Sequence, residues 1–232
     1  MKYPILYDKG ATNFSNLGLG VLVDTLSCIV TEERNGAFEL DMEYPITGAF
    51  FDLLETDRII KVDAGHAQRS KNQRFRIKRI DKAIDGRVKV YAQHVSYLTQ
   101  ELPIKPQFIV QGQTASVALE IWRNAIIESN PFTTFSNITG NRNTNLTIQD
   151  YNNPRQILGG VRGSILDRWG GEYVFDNYHI SLLNHRGGNA NTLIAYGRNL
   201  TELNQEENIT NTFTSLYRMN IPLWLCLLFV LP

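Results

Sequence analysis

With 232 residues, the chain has room for one large or two small domains, each able to bury a real core. Lys+Arg and Asp+Glu both number 23, so the formal net charge is zero and nonspecific binding to the nucleic-acid backbone is disfavoured. Only Cys28 and Cys226 are present, too few for a disulfide scaffold, and MKYPILYDKG lacks the apolar run and cleavage site of a secretory signal. Together these predict assembly in a reducing cytoplasm.

In chain order, residues 5–7 read as a short strand and 9–20 as a connection rich in glycine and asparagine. Residues 25–34 and 37–44 flank Asn35-Gly36, the pair preferred in two-residue hairpins because both positions need positive φ. On the second strand Phe38, Leu40, Met42 and Tyr44 alternate with Glu39, Asp41 and Glu43, giving one apolar and one acidic face. Paired carboxylates are what a glycosidase needs. Here they read as a solvated strand face.

Residues 48–54 are expected to form a turn of helix and 58–62 a strand. Arg69, Lys71, Arg74 and Arg76 make a modest basic cluster, read as a solvated loop entering a strand rather than a phosphate site. Residues 75–80 and 87–97 bracket a second hairpin at Asp85-Gly86. Closing such a sheet removes its edges, so a small barrel or sandwich ending near Leu102 is expected.

Pro103 and Pro106 mark a linker. Thr114 is an N-cap candidate for a helix whose apolar stripe is Ala118, Ile121, Trp122 and Ala125, stopped by Asn130-Pro131. Residues 132–135 and 145–148 follow as short strands around the polar loop 137–144. Asn153 and Pro154 open a second helix. Gly159, Gly160 and Gly163 fall inside it, at a cost of up to about 1 kcal/mol each, and read as a face packed closely against another backbone. Ile165, Leu166 and Trp169 share one side of that helix, and Gly170-Gly171 end it. A hairpin follows, with strands over 173–175 and 178–183 and Asp176-Asn177 at the turn.

None of this looks arranged for chemistry. Gly159 to Gly163 lack the Lys-Ser or Lys-Thr pair of a Walker loop and the leading strand of a dinucleotide fold. His66, His94, His179 and His185 have no third ligand at metal spacing and read as surface or packing residues. Neither a serine nor a cysteine sits in a nucleophile motif such as Gly-x-Ser-x-Gly. No catalytic, cofactor-binding or metal-ligating residue is assigned, and the sequons from Asn13 to Asn208 carry no weight without secretion.

Residues 192–196 read as another strand and 197–200 as a turn. Residues 221–232, IPLWLCLLFVLP, are uncharged and strongly apolar, yet short of the ~20 residues a membrane helix needs. No stable membrane insertion is expected.

Taken as an ordered series, several segments resemble the N-terminal region of phage tail proteins of the prophage endopeptidase tail family, the tail-associated lysins. They are Asn35-Gly36-Ala37-Phe38-Glu39-Leu40, Phe75-Arg76-Ile77, Val90-Tyr91-Ala92-Gln93-His94, Gly159-Gly160-Val161-Arg162-Gly163-Ser164-Ile165-Leu166-Asp167, Gly170-Gly171-Glu172-Tyr173, Phe175-Asp176-Asn177-Tyr178, His185-Arg186-Gly187 and Tyr196-Gly197-Arg198-Asn199-Leu200. The resemblance covers roughly residues 1–217. It implies a tail-hub subunit similar to the baseplate hub of contractile-tailed phages. In such a hub, two β-rich tube domains per chain let a homotrimer present a pseudo-sixfold ring to the distal tail protein. The ring surrounds the exit channel for tape-measure protein and DNA, without sequence-specific DNA binding. Cell-wall hydrolysis, where family members have it, resides beyond the hub region, so the chain is expected to be structural rather than enzymatic.

The expected fold class is therefore α+β and β-rich, with two small antiparallel β-barrel or sandwich-like tube domains, the second with two inserted helices. The expected domains are 1–102 and 103–200, followed by 201–232, the start of a further β-element ending in the apolar tail. Departure from the family pattern after Tyr217 suggests a frame change or premature stop, with burial of the tail in a neighbour as the alternative. The expected location is the virion tail tip. The competing readings are a peptidoglycan-cleaving tail lysin using Glu39 and Asp41, and a host receptor or glycan-binding module using exposed aromatics.

Overall fold

Alternating side chains build the first half of the molecule. In the computed structural model, which describes residues 3–65, 70–82 and 84–187, seven strands form one sheet. They are β1 (Ile5–Tyr7), β2 (Gly20–Val21), β3 (Ser27–Glu32), β4 (Phe38–Pro45), β5 (Ile59–Val62), β6 (Gln73–Lys82) and β7 (Arg87–His94), in the order β2-β1-β5-β6-β7-β4-β3. Every pairing is antiparallel. Phe38, Leu40, Met42 and Tyr44 point inward from β4, meeting Phe75 and Ile77 of β6 and Val88, Val90 and Ala92 of β7 in one core. An irregularity between Ile77 and Arg79 shifts the β6–β7 register, the kind of bulge that bends a strand. Among the described residues the sheet curls into a half-barrel without closing, with β2 and β3 as its two ends.

The hairpin at Asn35 differs from the expected two-residue turn. Glu32 pairs with Phe38, leaving a five-residue loop over 33–37 in which Glu33 N–H donates to Ala37 O. A loop of this length needs only one left-handed residue, and Asn35 supplies it at φ 58. After β7 the chain turns into a 3-10 helix, Val95–Gln100, where the sequence pattern predicts a continuing strand. His94 accepts from Ser96 N–H there, so its side chain ends the strand by capping the 3-10 helix.

The second half comprises β8 (Gln107–Gln113), α1 (Ala115–Ala125), β9 (Thr133–Ser136), β10 (Arg142–Thr147), α2 (Pro154–Leu158), α3 (Ile165–Trp169), β11 (Glu172–Asp176) and β12 (His179–Leu183). β8 and β10 pair antiparallel, while β11, β12 and β9 make a separate sheet in which β12 and β9 run parallel. Thr114 caps α1, and Asn153 with Pro154 starts α2, as read from the sequence. Trp122 centres this core, its indole N–H donating 2.8 Å to Pro154 O, with Leu119, Ile157, Ile165 and Ile180 packed around it.

The β-rich α+β class read from the sequence stands, with three local corrections. β8 was not anticipated. The parallel β9–β12 pair departs from an antiparallel second half. The single helix expected from Asn153 to Trp169 is two short helices, because the chain leaves α2 at Gly159 and turns through Gly160 (φ +110) and Gly163 (φ +88). Phe175 packs against both cores, and the two belong to one compact unit.

Candidate functional site

Four residues of the sequence motifs, Asn35, Gly171, Asp176 and Asn177, converge where the large sheet meets the β11–β12 hairpin. Asn35 is carried there by the β3–β4 loop. Its side-chain amide donates to Gly171 O at 3.0 Å and accepts from Tyr173 N–H at 2.7 Å. One amide thus satisfies a donor and an acceptor on the backbone at the start of β11, as a neighbouring strand would. Arg34 reinforces the contact with Glu172 at 3.3 Å, and Glu172 also accepts from Arg186 N–H at 2.9 Å. Arg186 in turn pairs with Glu32 of β3.

Deeper in the seam, polar groups are buried and joined. Gln73 and His94 occupy inward positions of β6 and β7 and are fully or almost fully buried. Gln73 Nε2 donates to Asp176 Oδ1 at 2.8 Å, and Gln73 Oε1 accepts from Asn177 N–H at 3.1 Å. His94 Nδ1 accepts from Ser96 N–H at 3.3 Å and lies 3.0 Å from Ser96 Oγ. That assigns the ring proton to Nε2, which faces Gln73 Oε1 at 3.0 Å. Burial, and then the charges of Arg155 and Arg74, hold the imidazole pKa well below its ordinary value, so the ring is neutral. Arg155 enters from α2, donates to Ser96 Oγ at 3.2 Å and lies over the rings of Tyr97 and Phe175. Phe38 stacks on His94 with centroids 4.2 Å apart. Beside the seam opens a cleft of about 220 Å³ whose lining includes Arg76, Lys78, His94 and Tyr178.

The other motif residues lie elsewhere. Gly36 sits in the hairpin loop over Glu33. Gly159, Gly160 and Gly163 form the connection between α2 and α3, where a Cβ on Gly163 would stand 3.2 Å from Leu146. Gly170 (φ +70) and Gly171 (φ +94) follow α3, and only Gly171 is crowded, since a Cβ there would come within 2.5 Å of Leu183 O. Gly187 is exposed, and Tyr196, Gly197 and Asn199 lie outside the described residues. In the basic cluster, Lys71 pairs with Asp63, Arg76 with Asp57 and Glu101, and Arg74 covers the Phe14 ring; Arg69 and His66 are outside the described residues. Glu39, Asp41 and Glu43 line the outer face of β4, with Glu43 3.6 Å from Arg87. Among the described residues, no three potential ligands gather to hold a metal ion.

The sequence reading did not single out Gln73, Ser96 and Arg155. The first was legible in principle, because Gln73, Phe75 and Ile77 share one strand parity, as do Val88, Val90, Ala92 and His94. Nothing local marks Arg155.

Fold and seam define a class: a β-rich scaffold in which one large curled sheet carries a smaller α+β layer through a buried polar junction. Residues 4–94, which carry the seven-stranded sheet, match the family model of the prophage endopeptidase tail N-terminal domain. Among solved structures, the chain is similar to the prophage tail protein gp18 from Listeria monocytogenes EGD-e, with a TM-score of 0.60 and 18% identity. That match covers 87% of this chain and 57% of the other, so the chain spans a little over half the length of that protein. At this identity the likeness is one of fold. No curated protein sequence matches significantly. The family resemblance read from the sequence is borne out.

Proposed function

We propose that the chain is a structural subunit of a phage or prophage tail tip. In this reading it is a hub protein that trimerises into a ring, attaches to the distal tail protein and surrounds the passage for tape-measure protein and DNA. The reading is carried by the coincidence of the family match, residues 4–94, with the seven-stranded sheet, whose strands begin at Ile5 and end at His94. The two ends of that sheet support it. Among the described residues β3 pairs on one side only, with β4, and Val23, Leu26 and Ile29, in or just before β3, are each at least half exposed. Leu17 is similarly exposed near β2. Open strand edges with apolar neighbours are surfaces that folded chains normally cover, and a ring of subunits covers them.

Mass photometry and electron microscopy of the purified protein, alone and mixed with distal tail protein, test the proposal. Trimers or rings are expected. A strict monomer at micromolar concentration, under conditions where a full-length family member assembles, would count decisively against it. Clearing of a cell-wall zymogram, lost on Glu39→Gln or Asp41→Asn, would replace it with the hydrolase reading. Saccharide binding by the isolated protein would favour the glycan-binding one.

A further inference from the structure

Outside any role in assembly, the junction between the two sheets contains one ionisable group whose geometry tolerates a single charge state. His94 is buried, with partners on its ring and at both nitrogens. Phe38 of β4 and Phe75 of β6 cover its ring, Gln73 of β6 meets Nε2, and Ser96 of the following 3-10 helix meets Nδ1. The charged groups around it are mostly cationic. Arg74 comes from β6, Arg155 from α2, and Arg76 and Lys78 of β6 with Lys9 line the adjoining cleft. Asp176 of the β11–β12 hairpin reaches the ring through Gln73, and Tyr178 of the same hairpin lines the cleft.

A proton on Nδ1 has specific consequences. The ring could no longer accept from Ser96 N–H, which would be left buried without its acceptor. The new charge would sit among the guanidinium groups of Arg155 and Arg74. Gln73, which bridges His94 to Asp176 and Asn177, connects that change directly to the hairpin.

We propose that His94, Gln73 and Ser96 form an acid-released latch: protonation of His94 loosens the Asp176–Asn177 turn of the β11–β12 hairpin from the large sheet before either core unfolds. The sign comes from linkage. The closed seam binds the proton far less readily than the open one, so the latch is fully engaged above the ordinary histidine pKa of about 6.5 and weakens as pH falls below it. For an open-state pKa near 6.5, the opening equilibrium rises roughly thirtyfold between pH 7.5 and pH 5.0.

Hydrogen exchange of the whole chain, corrected for the intrinsic pH dependence of exchange, reads this directly. The Ser96 and Asn177 amides are expected to lose protection by about thirtyfold over that range, and at both pH values to exchange faster than the interior amides of β4 and β7. His94→Gln, which keeps a neutral polar side chain, is expected to abolish the pH step. The proposal is overturned if seam and core amides exchange together at pH 5.0, or if the glutamine variant shows the same step. Should that variant fail to fold, ring-nitrogen NMR of the native protein decides. A His94 ring that titrates near pH 6.5 with unchanged Ser96 and Asn177 amide signals refutes the latch, and one that stays neutral until those signals move supports it.

Discussion

Replacing Asn35 separates two contributions that meet in one residue. Its backbone is left-handed at φ 58, and its side chain makes two hydrogen bonds to the start of β11, at 3.0 and 2.7 Å. Asn35→Gly keeps the backbone conformation and removes both bonds. At this exposed rim each bond belongs at the low end of the net range, about 0.5 kcal/mol. The greater freedom of glycine in the unfolded chain adds about 0.5 kcal/mol, for a total near 1.5. Asn35→Ala removes the same bonds and puts at φ 58 a residue without the local hydrogen bonding that lets asparagine occupy the left-handed region, a cost of up to about 1.5 kcal/mol, for a total of up to about 2.5. Urea denaturation followed by tryptophan fluorescence measures both through the shift in midpoint at constant slope. A glycine variant as stable as the native protein would show that the clamp contributes nothing. A glycine variant no more stable than the alanine one would show that the left-handed backbone is not what the residue is needed for.

Three further outcomes rest on single positions. Gly171→Ala should destabilise by about 3 kcal/mol or more, and clearly more than Gly170→Ala, because both have positive φ but only Gly171 faces the Leu183 carbonyl; thermal melts of the pair test the comparison, and equal losses would refute it. Thr114→Ala should cost only about 0.5 kcal/mol, the low end for an N-cap, since its bond to Val117 N–H is exposed and 3.5 Å long; a urea-midpoint loss near 2 kcal/mol would contradict this. Burial pushes the Cys28 thiol up to about 11, so in a Cys226→Ser background it should react far more slowly with a disulfide reagent at pH 8 than the same chain in denaturant; comparable rates would mean that β3 leaves the thiol open to solvent.

Legibility in this sequence tracks the range of the interactions involved. Strands β4, β6 and β7 were readable because a half-buried strand repeats every two residues, and the starts of α1 and α2 because a cap is a contact across three residues. β8 was not, since Phe108 and Val110 are its only inward apolar residues and Pro106 beside them reads as linker. The parallel pairing of β9 with β12 has no local signal, because both are short and the connection between them passes through β10, α2, α3 and β11. The helix break shows competition between local rules. Pro154 and Asn153 favour starting a helix, and Ile157, Leu158, Ile165 and Trp169 bury helical faces. Gly160 and Gly163 between them nonetheless take positive φ, where any other residue would be strained.

The seam is the instructive case. A polar residue at the inward parity of an otherwise apolar strand must find hydrogen-bond partners or impose a desolvation cost of about 1–3 kcal/mol. Gln73 and His94 occupy such positions on adjacent strands, and their parity alone implies that something polar outside the sheet reaches in to meet them. The partner proves to be the far hairpin, through Asp176 and Asn177, with Arg155 filling in from α2. The sheet's own pattern therefore locates one side of the junction, and only the folded chain supplies the other. Because each side is completed by groups it does not contain, separating the sheets exposes unsatisfied polar atoms on both. This makes the junction specific and, through the His94 imidazole as proposed above, sensitive to acid.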